Sequence, residues 1–130
     1  MVEFAMILVP LLLLVVGMLQ FGIVLNAKID ETHLASTGAR YAAVNQNPGE
    51  DDGLSLQDYI KSKADTGDMR ATARVCVEYP VGSAVGDPVT VTMDYDYELL
   101  PLLGGITMTV QGEATMRLEA EPDIAAECST

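Results

Sequence analysis

Tryptophan is absent from this 130-residue chain, histidine occurs once and cysteine twice, and seven basic residues stand against nineteen acidic ones. Each shortage excludes something. A formal net charge of -12 repels phosphate backbones and anionic headgroups, so nucleic acid is not an expected partner. The cysteines, Cys76 and Cys128, make neither a CxxC motif nor a zinc-ligand cluster. The one histidine, His33, has no nucleophile and orienting carboxylate at recognisable spacing, and no phosphate-cradling loop occurs. No enzyme, cofactor or metal is therefore expected, and His33 reads as structural or interfacial. Two cysteines without tryptophan in an acidic chain fit an extracytoplasmic setting better than a cytosolic one.

Charge is also missing along a stretch. From Phe4 to Leu25 in "VEFAMILVPLLLLVVGMLQFG" and the residues after it there is none, and 22 helical residues at about 1.5 Å each reach roughly 33 Å, enough for the ~30 Å bilayer core. A cleaved secretory signal has a basic start, a shorter apolar core and a small-residue cleavage site, so this run reads as part of the mature protein. Nothing basic precedes it and the first basic residue is Lys28. Because Lys and Arg normally set orientation, a basic segment removed upstream is expected.

Beyond Leu25, "NAKIDETHLASTGARYAAVN" keeps helical spacing through Ile29, Leu34, Ala35, Gly38, Tyr41 and Ala42. One helix from about Val2 to Val44, roughly 65 Å long, is predicted, with Pro48 and Gly49 ending it. A second helix over 55–64 follows from the Ser55 cap, Asp58 at the capping-box position and the face Leu56, Tyr59, Ile60. The period then becomes two. Strands are predicted at 70–79 (Ala71, Ala73, Val75, Val77 and Tyr79 inward), 88–98 and 106–121, joined by Pro/Gly turns into a three-stranded antiparallel meander. The small residues of the back half of the long helix let it cover the sheet. The fold class is α+β, with residues 1–26 as a membrane-spanning segment and 27–130 as a head that includes helix residues 27–46.

The opening run, "THLASTGARYAAV" and the final "LLGGITMTVQGEATMRLE" resemble TadE-like pilins, type IV pilin relatives of the Tad system. The likeness covers the helix and last strand, about half the chain, in the right order. It implies a precursor whose basic leader is cut by a prepilin peptidase, then a subunit that waits in the inner membrane and is drawn by the assembly machinery into an extracellular homopolymeric filament. Glu3 stands nearer the first residue than the equivalent glutamate of most relatives. The rival readings are a minor pilin or anchored component that never polymerises, and a surface-displayed adhesive domain.

Under this resemblance Glu3 sets register against a neighbour's terminal amine, or rests at headgroup level on the helix dipole. Pro10 removes the hydrogen bond to Met6 and lets a packed rod stretch, or merely kinks a membrane helix. Gln20, between Gly17 and Gly22, bonds across close-packed helices or simply lies near a membrane surface. By strand parity Cys76 points outward, where a C-terminal tail folded across the outer face brings Cys128 to it; the alternative is a free pair in a loose tail. Leu99, Leu100, Leu102 and Leu103 form an apolar loop that docks on a neighbouring subunit or folds under its own sheet. Asp94, Asp96 and Glu98, with Glu50, Asp51 and Asp52, make a calcium site conceivable but match no EF-hand loop; with Arg70, Arg74 and Arg117 on the same outer face as the strand acids, a solvated charged surface is the favoured reading.

Overall fold

The computed structural model describes residues 2–99 and 105–129, the side chains of Val2 and Ala5 apart. Helix α1 runs Val2–Ala43, about 63 Å at 1.5 Å per residue, and passes through Pro10 as continuous α-helix. Its end lies earlier than the Pro48–Gly49 stop. Asn45 takes the left-handed conformation with φ 52°, Gln46 N donates to Tyr41 O at 2.9 Å and Asn45 N to Ala42 O at 3.2 Å. This double closure satisfies the last carbonyls and turns the chain before any proline is needed.

Helix α2 spans Leu56–Ser62, with the Ser55 hydroxyl accepting from Asp58 N. A third helix was not foreseen: α3 covers Gly67–Thr72, capped by Thr66 accepting from Met69 N. It takes the front of the strand placed at 70–79. The alternation through Ala71 and Ala73 is a weak strand signal because alanine favours helix, and a hydroxyl cap decides the matter. Arg70 consequently leaves the sheet, and its Nε donates to Ala64 O at 2.7 Å.

The sheet has four strands in the order β3-β2-β1-β4: β1 Arg74–Glu78, β2 Pro88–Leu99, β3 Ile106–Arg117 and β4 Cys128–Ser129, all neighbours antiparallel. The first three form the expected meander. β3 stops short of 121 because Leu118 N turns to Asp87 O and Glu119 N to Ala43 O, which ties the strand's end to the end of α1. The two-residue β4 comes from the tail, which binds along the head's end: Gln57 Nε2 donates to the Ala125 and Glu127 carbonyls, and Tyr79 Oη to Ile124 O.

The core lies between α1 and the sheet. Ala35, Ala39 and Ala42 on the helix and Val75, Val89, Val91 and Met93 on the strands are fully buried. Small helix residues permit a close approach, tightest at Gly112, where a Cβ would lie 2.5 Å from the Glu31 carbonyl carbon and 2.7 Å from its oxygen. Backbone cannot swing aside as a side-chain end does. Gly112→Ala is expected to destabilise the head by about 3 kcal/mol, read as a lowered urea midpoint, whereas Gly67→Ala, with open space around it, is not.

Candidate functional site: a bare helix above an acidic head

The head covers only half of α1. Between Phe4 and Leu25, sixteen large apolar side chains are exposed, from Leu8 at 37% to Met6 at 78%. The helix is long and apolar enough to cross a membrane. Glu3 sits exposed in its first turn, where the helix dipole favours a negative charge. Among the described residues a Cβ at Gly17 or Gly22 would meet nothing within 4 Å, so these two positions are open. Gln20 differs. It is half-buried, and its Oε1 is enclosed without a hydrogen-bond partner among the described residues.

Cys76 and Cys128 are joined by a disulfide, closing a separation of 52 residues. The route differs from the predicted one: the tail does not fold over the sheet's outer face but pairs as an edge strand, with Cys76 directly opposite Cys128 in register. A reading limited to three strands had no edge partner to offer β1.

Of the leucine loop, Leu99 ends β2 and is half-buried, while Leu100, Leu102 and Leu103 lie outside the described residues. Asp94, Asp96 and Glu98 alternate along β2, with Thr109 Oγ1 donating to Asp96 Oδ1 at 2.6 Å. Among the described residues no three acidic, histidine or cysteine side chains gather in a metal-binding group. His33 borders a groove of about 400 Å³ between α1 and α2 with Asp30, Tyr41, Tyr59 and Lys63. Tyr41 meets Tyr59 edge-on at 6.2 Å and the Lys63 ammonium stands 5.0 Å over the Tyr59 ring, so an aromatic pair and a cation–π contact form its wall.

One residue escaped the sequence reading. Glu31 is wholly buried at the closest approach of α1 to β3, and neither carboxylate oxygen has a partner among the described residues. Lys28, one turn away, donates instead to Gln111 O. Burial, with the Asp94 and Asp30 charges adding to it against the pull of Lys28, raises the Glu31 carboxyl from 4.5 to about 8. Only its place in the stripe Ala27, Glu31, Leu34, Ala35 signalled this.

A long apolar helix bare at one end and seated on a four-stranded sheet at the other defines an α+β protein. Residues 1–40 match the family model described as TadE-like protein. The match covers most of α1 and none of the sheet. Neither the comparison with curated proteins nor that with solved structures found a match.

Proposed function

We propose that this chain is a pilin subunit that leaves the inner membrane and polymerises through residues 4–25 of α1 into an extracellular Tad-type filament, the head coating the outside. The observation that carries the reading is the uncovered apolar half of the helix. Each of its large side chains gains about 1.5 to 3 kcal/mol on burial, so extraction from lipid is affordable only when neighbouring helices replace it. Glu3 then sets axial register against a neighbour's terminal amine after peptidase cleavage. Gly17 and Gly22 let adjacent rods approach closely.

Shearing cells with an intact pilus apparatus and imaging the released material by negative stain tests this. Filaments containing the chain are expected. Retention entirely in the membrane pellet indicates a non-polymerising anchored component instead. Gly17→Leu with Gly22→Leu is expected to leave the head's melting temperature and membrane insertion unchanged, because no described residue opposes a side chain there, yet to abolish sheared filaments. Glu3→Ala is expected to lower filament yield, and a normal yield counts against the register role.

A further inference from the structure

The sheet-facing stripe of α1 extends beyond the head's core. From Ala27 it continues to Val24 and Gln20, both half-buried, while Leu19, Phe21 and Ile23 are more than half exposed. β3 runs parallel to α1: Glu119 N bonds Ala43 O, Gly112 lies against Glu31, and Lys28 reaches Gln111. Counting back from Gly112 to Ile106 at about 3.3 Å per residue gives roughly 20 Å, which at 1.5 Å per helical residue sets Ile106 near the level of Gln20. The β2–β3 arm therefore passes the end of the uncharged run at Leu25.

The arm has two faces. Tyr97 pairs with Met108 and Leu99 with Ile106 on the helix side of the sheet, and because β3 is an edge strand, Ile106 is 68% and Met108 48% exposed. Asp96, Glu98, Thr107 and Thr109 are exposed on the opposite face.

We propose that this arm, Tyr95–Leu99 with Ile106–Val110, is a membrane-interface element: before assembly, Ile106 and Met108 enter the headgroup–acyl boundary of the bilayer that α1 crosses, while Asp96 and Glu98 stay in water. The covalent geometry carries the argument, since any molecule inserted through residues 4–25 necessarily brings its own arm to that depth. An amphipathic surface with its apolar side toward the lipid and a tyrosine beside it suits that layer. The acidic outer face selects neutral or zwitterionic headgroups over anionic ones. The proposal rests on the helix spanning a bilayer and does not require polymerisation.

The chain contains no tryptophan, so each single-tryptophan variant reports one site. The full chain is reconstituted in phosphatidylcholine vesicles carrying bromine either near the glycerol end or near the methyl end of the acyl chain. Ile106→Trp and Met108→Trp are expected to emit to the blue of Val81→Trp, which lies in the exposed turn at the sheet's far end, and to be quenched most by the shallow bromines. Phe21→Trp, quenched in the same vesicles, verifies insertion. Absence of quenching at 106 and 108 overturns the proposal, as does absence at 21. A blue shift without quenching that grows with protein-to-lipid ratio also overturns it, because a second copy then covers the face. Failure to form filaments in cells would leave these spectra unaffected.

Discussion

Glu31→Gln is expected to make the head more stable at neutral and alkaline pH, an outcome opposite to that of most core substitutions. The carboxyl titrates near 4.5 unfolded and about 8 folded, so between those values the folded state holds a proton that the unfolded state has released. Stability must then fall as pH rises through that window and level off above pH 8. Below pH 4.5 both states are protonated and the penalty vanishes. Above pH 8 it reaches a few kcal/mol, on the order of 4.

The groups that govern this surround the carboxyl from three elements. Lys28 and Asp30 stand on α1, Asp94 is on β2 with Tyr95, whose hydroxyl feels the Glu31 charge, and β3 brings Gly112 and a Gln111 carbonyl already occupied by Lys28. Glutamine keeps the shape without the charge. Urea midpoints of the full chain in detergent, followed by the near-ultraviolet tyrosine signal from pH 4 to 9, should decline for the natural protein and stay nearly level for the variant. Parallel curves would show that Glu31 finds a partner in solution.

Removal of the disulfide has an effect of similar size and opposite sign. Cross-linking across 52 residues restricts the unfolded chain by about 4 kcal/mol in the loop-closure description. For a head of this size that corresponds to a melting temperature lower by roughly 20 °C. Cys76→Ala with Cys128→Ala should show this loss, and reduction of the natural protein should reproduce it with a mass gain of two hydrogens. The tail should open first. Residues 119–129 are held by β4, Gln57, Tyr79 and the reciprocal Asn45–Asp123 pair, so amide exchange should accelerate there before the Val75–Val91 core. An unchanged midpoint would mean that these tail bonds suffice alone.

Much of this was legible in one dimension. The absence of charge from Phe4 to Leu25 predicts the bare half of α1, and the period-two pattern in "VTVTMDYDYEL" and "ITMTVQGEATMRLEA" predicts β2 to within a residue and the start, though not the end, of β3. Ser55 signals its own cap. These signals are local: propensity, periodicity and capping involve residues within a turn or a strand of one another. The helix end falls within a residue of the predicted Val44, but Asn45 in the left-handed region, not Pro48, closes α1, and α3 replaces the front of the predicted strand because two alanines mimic a strand.

Other features depend on distant partners. Gly112 matters only because the backbone of Glu31 arrives on it; Glu31 is an ordinary surface-looking acid until β3 buries it; and Cys128 meets Cys76 because the tail adds a strand to β1. Composition and period therefore determined by themselves that a long apolar helix precedes a small acidic α+β head. Only the tertiary structure decided which carboxyl is buried, which edge the tail pairs with and how far the β2–β3 arm reaches down the helix, since burial, cross-linking and depth are relations between segments dozens of residues apart, and local sequence encodes no distance between them.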